Sequence, residues 1–467
     1  MTLRADAAAS TADGTAAAFD RAAALARGWL GRLPDRRVPA SGSVDDAVAR
    51  LGTALPEGQE DPVAVVERLA AAVEPGLMAS GSGRFYGWVM GGSFPAALGA
   101  DVLVTAWDQN AGMRDATPGV VAVEEVAAAW VLDLLGLPVG SGVGFTTGAT
   151  MANFTCIAAA RHRVLQDVGV DDRLVGLADA PRIRVLAGAE RHGSIDLALR
   201  LVGLGAAELV PSDAQGRVDA VALREALAGS HRPTIVCLQA GNLHSGAFDP
   251  FGPAVAAARE AGAWVHVDGA FGLWALATPT LDALTAGLDG ADSWATDAHK
   301  TLNTPYDGGI AIVRDPATLE AAMGQHATYL LTGARPDPHL HVPEMSRRAR
   351  GVPVWAAIAS LGRSGVRGLV DGLHDAASAI AEGALRIPGA TVLNDVVYTQ
   401  VSVAFETDER TRAVLAELLR DGTVMPSGSV WSGRAVIRFS VSSWRTGDAE
   451  VRATLEALRR AVDAVPA

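Results

Sequence analysis

Residues 264–272 read WVHVDGAFG, and residues 292–309 read DSWATDAHKTLNTPYDGG. Each stretch opens as a short, largely apolar run of strand type and ends at a charged residue followed by small ones. The first ends at Asp268-Gly269-Ala270, and the second at Asp297-Ala298-His299-Lys300. A carboxylate at the end of an apolar strand is costly to bury without a partner. Lys300 is the only lysine in the chain; the remaining basic side chains of the 39 Lys and Arg are arginines. An arginine stays protonated at any physiological pH, whereas a desolvated lysine can lose its proton and act as an amine nucleophile. A lysine retained at one such place reads as a reagent.

The pattern around these two stretches predicts an α/β fold. Strands are expected at 143–145, 183–187, 207–213, 234–240, 264–267, 293–296 and 309–315, mostly separated by helical segments. That alternation implies a mostly parallel, seven-stranded sheet covered by helices. Residues 119–136 have strong helical periodicity, and 345–385 read as a further helical stretch. Beyond it, TVLN (391–394), YTQVSVAFE (398–406) and AVIRFSVS (435–442) alternate like antiparallel strands, with helices at 408–421 and 447–464. The expected organisation is an N-terminal helical arm over 1–95, a large domain over 96–345 and a small α+β domain over 346–467. In the arm, the first ~15 residues are expected to be disordered. Residues 16–31 and 44–54 read as amphipathic helices, and 79–95 as an ordered loop rich in Gly and aromatic residues.

Composition narrows the function classes. A net charge of −13 argues against nucleic acid or an anionic membrane as the main partner. No apolar run approaches the ~20 residues of a membrane span, and the N-terminus lacks the pattern of a signal peptide. Cys156 and Cys237 sit in apolar runs as small buried hydrophobes, which fits a reducing, cytoplasmic setting.

In sheets of this kind ligands bind at the C-terminal ends of strands. Four unusual features fall at such ends. Thr146-Thr147-Gly148-Ala149-Thr150 opens a helix, and backbone N–H groups there suit a phosphate. His192 lies between a strand and a helix and offers a flat ring for stacking. Asp268 could neutralise a protonated ring nitrogen, and Lys300 offers its amine. Taken singly, each has a plain structural explanation such as a helix cap or a turn. Together they match what pyridoxal 5′-phosphate requires: a phosphate anchor, a ring stack, an acid partner for the ring nitrogen and a Schiff-base lysine. Gly203-x-Gly205 lacks the third glycine and the placement of a dinucleotide motif.

At these residues the chain resembles the fold-type I pyridoxal-phosphate enzymes, and among them the group II amino-acid decarboxylases. HVDGAFG (266–272) and DSWATDAHKTLNTPYDGG (292–309) carry the resemblance, with support from TTGATMANFT (146–155) and ERHGS (190–194). It implies that Lys300 holds the cofactor as a Schiff base, that Asp268 pairs with the ring nitrogen, that Ala270 lies under the ring and that His192 stacks over it. Thr147, Gly148, Ala149 and His299 would face the phosphate, with Asp297 and Asn242 as further cofactor contacts. Tyr329, in HATYLLTG, would return a proton to the substrate carbon from the other subunit of a homodimer. Arg438 would hold the substrate carboxylate, and Trp88 and Thr301 would shape the substrate pocket. The implied activity is decarboxylation of an L-amino acid, with no metal. Thr301 stands where the family usually has Trp, and Gly308-Gly309 where a Cys is often found. Both changes keep transamination, aldol-type or oxidative chemistry open as alternatives. A non-catalytic protein of the same fold is disfavoured by the intact lysine, aspartate and histidine.

Overall fold

A computed structural model of the chain describes residues 3–324 and 335–466, with side chains from residue 14 onward. Among the described residues twelve strands form two sheets. A short β1 (Phe85–Tyr86) precedes the strands of the large sheet: β2 (Gly142–Thr146), β3 (Arg184–Gly188), β4 (Glu208–Val210), β5 (Thr234–Gln239), β6 (Trp264–Asp268), β7 (Ser293–Asp297) and β8 (Gly309–Val313). Then come β9 (Thr391–Val392), β10 (Gln400–Ala404), β11 (Met425–Trp431) and β12 (Arg434–Ser440).

The large sheet has the order β2-β8-β7-β6-β5-β3-β4. Its neighbours are parallel except for β8, which runs antiparallel to both β2 and β7. Both faces are covered, so alternate residues of a strand enter different cores. In β5, Val236 and Leu238 join the cluster beneath helices Pro118–Leu134 and Phe251–Glu260. Ile235 and Cys237 join the opposite cluster, under Ala149–Gln166 and Gly193–Leu201. This two-sided burial explains why the strands read as nearly continuous apolar runs. Because β2, β3, β5, β6 and β7 are parallel, Thr146, Gly188, Gln239, Asp268 and Asp297 end at one edge. The start of β8 returns there, with Gly309 in register with both Thr146 and Asp297.

The second sheet has the order β1-β11-β12-β10-β9, with β1 parallel to β11 and the other pairs antiparallel. Helix Gly351–Ala384 changes direction at Gly362, whose φ of 61° is outside the helical range. Its first half puts Val354 and Ala357 into the large core, and its second half puts Leu373, Ala377 and Ile380 under the small sheet. One helix therefore ties the two sheets together. Among the described residues no helix is long and apolar enough to cross a membrane.

Three elements depart from the sequence reading. The N-terminal helix begins at Leu3, inside the segment expected to be disordered, and runs to Arg32. Its alanine content supplies the helix propensity, since alanine has no side-chain entropy to lose. β11 was not expected, because Pro426, Gly428 and two serines disguise the strand pattern of MPSGSVW. β1, two residues long, is drawn out of the expected loop by pairing with β11.

Candidate active site

Lys300 follows β7 at the shared strand edge. Its Nζ lies 2.7 Å from Asp297 Oδ2, and its side chain keeps 21% exposure. The other oxygen, Asp297 Oδ1, accepts from the N–H of Ala149 at 2.5 Å and lies 3.6 Å from His299 Nε2. Ala149 is the first residue of the 18-residue helix Ala149–Gln166, whose N-cap Gly148 provides no side-chain hydrogen bond. The remaining N–H groups of the first turn and the helix dipole leave this turn suited to an anion. Gly309 packs so closely on the backbone of Gly148 that no Cβ fits between them. Gly309 therefore allows the turn and the start of β8 to meet.

His299 accepts a hydrogen bond at Nδ1 from Gly308 N (3.2 Å) and stacks on Tyr306 with ring centroids 4.1 Å apart. Burial pushes its pKa below the ordinary value, against the pull of Asp297. It is therefore a neutral imidazole near pH 7.

One strand away, Asp268 is 4% exposed. Its Oδ1 accepts from Ala270 N (3.2 Å) and its Oδ2 from Ser194 Oγ (3.3 Å). His192 caps helix Gly193–Leu201: Nδ1 accepts from Ser194 N at 3.2 Å and lies 2.8 Å from Ser194 Oγ. Ala270 joins this pair to the lysine segment, because its carbonyl accepts from Asp297 N at 2.8 Å. Lys300, Asp297 and Ala149 thus form one bonded group with His299 and Gly148 beside it, and Asp268, Ser194, His192 and Ala270 form a second. The two are linked through β6 and β7. Thr147 stands half-buried between Thr146 and Gly148 in the same turn.

Arg438 reaches the region from β12. Its Nη1 donates to the carbonyl of Leu243 (3.1 Å), and among the described residues its buried Nε has no hydrogen-bond partner. The side chain is in a residue only 4% exposed, and burial lowers its pKa to about 10. A guanidinium buried with an unused donor has the chemistry to take an anion. Beside it, His244 is held by Ser429 Oγ (2.9 Å) and stacked on Trp431; burial first, then Arg438, lowers its pKa to about 4.

Three expectations look different in the structure. Asn242 Oδ1 accepts from His244 N (2.8 Å) and Ser245 N (3.2 Å), and its Nδ2 donates to the carbonyl of Glu190 (3.4 Å). Its polar atoms shape the loop after β5. Thr301 donates to the carbonyl of Phe271 (2.9 Å), which also accepts from Tyr398 Oη (3.2 Å). Its hydroxyl therefore points into protein. Trp88 is 54% exposed, with a left-handed φ of 52°, and its N–H donates to Ser427 Oγ at 2.9 Å. Tyr329 lies outside the described residues.

Sequence reading missed Asn303. It is fully buried, with φ 57°. Its Oδ1 accepts from Gly92 N (2.9 Å) and Trp444 N (3.0 Å), while its Nδ2 donates to the carbonyls of Ser442 (2.9 Å), Thr301 (2.8 Å) and Lys300 (3.1 Å). It joins the lysine segment, the aromatic loop and the turn after β12. Only the tolerance of Asn for left-handed backbone could have suggested this from sequence.

A parallel sheet whose strand ends carry this lysine, aspartate and open helix terminus defines a fold type I pyridoxal-phosphate enzyme. Within that class the chain belongs to the pyridoxal-dependent decarboxylase family, whose conserved-domain model matches residues 46–406. It is 29% identical over 380 residues to the L-2,4-diaminobutyrate decarboxylase of Rhizobium meliloti (strain 1021), covering 78% of this chain and 74% of that one. It is 26% identical over 433 residues to tryptophan decarboxylase 1 of Oryza sativa subsp. japonica, covering 85% and 83%. The solved structure of Oryza sativa TDC with PLP and tryptamine superposes with a TM-score of 0.89 at 22% identity, over 97% of this chain and 98% of that one. The chain is accordingly a carboxy-lyase of amino-acid metabolism that uses pyridoxal 5′-phosphate.

Proposed function

We propose that this protein decarboxylates an L-amino acid at a site built around Lys300. The observation that supports the reading is the placement of Lys300 Nζ against Asp297, whose other carboxylate oxygen accepts from the first N–H of helix Ala149–Gln166. The residues present fit pyridoxal phosphate: an open helix terminus for the phosphate, a buried carboxylate for the ring nitrogen and an amine for covalent attachment. When bound, the cofactor supplies an electron sink for the pair released as CO2 leaves.

In this reading Thr147, Gly148, Ala149 and His299 receive the phosphate, and a neutral His299 does so by hydrogen bonding. His192 covers one ring face, and Ala270 leaves room at the other. Asp268 pairs with the ring nitrogen, and Asp297 orients the amine of Lys300. Asn242 acts by holding the loop after β5. Arg438 takes the substrate carboxylate with its unused donor, and Trp88 borders the pocket. Tyr329 returns the proton to the substrate carbon, a role resting on the family resemblance alone. That role needs the second subunit of a homodimer, and the reducing cytoplasm suits the two buried thiols.

The test is a screen of L-amino acids with CO2 release and amine formation measured together. Lys300→Ala is expected to abolish both, along with the covalent visible band of bound cofactor. Keto-acid exchange without CO2 release would replace this reading with transamination.

A further inference from the structure

Behind Asp268 runs a chain of buried polar side chains with a single direction. It starts at Trp264, whose indole N–H donates to Ser293 Oγ at 2.9 Å. Indole is a donor only. The Ser293 hydroxyl therefore keeps its own proton to give, and His266 Nδ1 stands 3.0 Å away. His266 is fully buried, and burial lowers its pKa to about 3, so the ring is neutral and has one donor and one acceptor. Asn153 Oδ1 stands 2.9 Å from Nε2 and can only accept, so the ring proton sits on Nε2 and Nδ1 is the acceptor facing Ser293. Asn153 is also fully buried, and its Nδ2 donates to Ser194 Oγ at 3.3 Å. Ser194 has then accepted a bond and still holds a proton. Two acceptors face it, His192 Nδ1 at 2.8 Å and Asp268 Oδ2 at 3.3 Å. His192 Nδ1 already accepts from Ser194 N, and Asp268 carries the charge that draws a donor most strongly.

We infer that Asn153 and His266 are positioning residues of the reaction: they orient Ser194 as a donor that keeps Asp268 in its carboxylate form and leaves the shared proton on the cofactor's ring nitrogen. This rests on the reading of Asp268 as the partner of that nitrogen. A donor to a carboxylate stabilises its charged form. Without that donor the carboxylate becomes more basic and competes for the ring proton, and a ring without that proton is a weaker electron sink. Hydrogen bonds aligned in one direction polarise one another, so a residue as far back as His266 still acts at the carboxylate.

The test reads the ring nitrogen directly. Holoenzyme is prepared with pyridoxal phosphate labelled with 15N in the ring, and the nitrogen resonance is recorded for the parent, Asn153→Leu, Ser194→Ala, Ser194→Thr and Asp268→Asn. The parent and Ser194→Thr, which keeps the hydroxyl, are expected to give a pyridinium signal. Asn153→Leu and Ser194→Ala are expected to move it by roughly half or more of the way to a neutral pyridine, the scale of losing one bond to a charged group. Ser194→Ala removes a single oxygen and stands in if Asn153→Leu fails to fold. A pyridinium signal unchanged in both, but lost in Asp268→Asn, would overturn the relay alone. If Asp268→Asn itself keeps the pyridinium signal, the assignment of Asp268 fails and the relay with it.

Discussion

Lys300 and Asp297 form an ion pair of 2.7 Å between residues one helical turn apart in sequence, and the same carboxylate holds the first N–H of helix Ala149–Gln166. One side chain thus ties the lysine amine to the start of that helix. Asp297→Ala is expected to slow covalent uptake of pyridoxal phosphate by the apoprotein about tenfold or more, the cost of losing the orientation of a reacting group. The growth of the visible absorbance band after mixing measures it. An unchanged rate would mean that Lys300 is held by its backbone alone.

Arg438 carries a buried charge with an unsatisfied Nε and no carboxylate bonded to it among the described residues. Burying a charge without a carboxylate partner is costly to the fold, and in the proposed reading a substrate carboxylate supplies that partner. Arg438→Met is expected to raise KM for the amino acid about 10- to 100-fold, with a smaller change in kcat. The same variant is expected to melt at or above the temperature of the parent, because a desolvated charge is replaced by an apolar chain. Steady-state kinetics and a thermal melt check both halves. A lower melting temperature with normal KM would make Arg438 a structural residue.

His266 also bears on acid stability. Its folded pKa, about 3, lies below the ordinary 6.5. From pH 6.5 down to about 3 the unfolded chain binds a proton that the folded one does not, so stability falls as the pH falls through that window. The loss amounts to about 3–5 kcal/mol at the acid end. Asp249 works the other way: burial raises it to about 6, so between that value and the ordinary 3.8 the folded state holds the extra proton. Acidification through this narrower window favours folding and offsets part of the histidine effect. His266→Gln, which has no titration here, is expected to show a shallower loss of stability between pH 6.5 and 4. Urea unfolding at several pH values measures the slope. Equal slopes in parent and variant would mean that water reaches the histidine.

The apolar strands of the large sheet were legible because both of their faces are buried, which leaves little polar interruption in TIVCLQ or GIAIV. The residues at their ends were legible for the converse reason: a charge after such a run requires a partner. β11 was hidden because one side of it is half-exposed and serine-rich, and its pairing comes from β12 across a tight turn. The meaning of Thr301 depended on Phe271 and Tyr398, which are distant in sequence and meet it only in the fold. Ser194 likewise read as part of a helix start, and its bond to Asp268 could not be seen without knowing that β3 and β6 end at one edge.

Asn303 offers the sharpest separation of backbone and side-chain effects. Its left-handed φ of 57° is tolerated by Asn and Gly and costs other residues roughly 1–2 kcal/mol. Its amide meets two donors and three carbonyls from three segments, all buried with it. Removing the amide leaves several of those groups without partners, at about 1–3 kcal/mol for each that water cannot reach. Asn303→Gly keeps the backbone at ease and deletes only the amide, whereas Asn303→Ala does both kinds of harm. Both variants are expected to unfold at lower denaturant concentration than the parent, with Ala below Gly by about 1 kcal/mol. Since the amide also fixes the Lys300 carbonyl and the loop carrying Gly92, Asn303→Gly is expected to weaken cofactor retention during dialysis, measured by residual visible absorbance. Full retention, together with the expected fall in stability, would confine Asn303 to joining segments and leave the placement of Lys300 to Asp297.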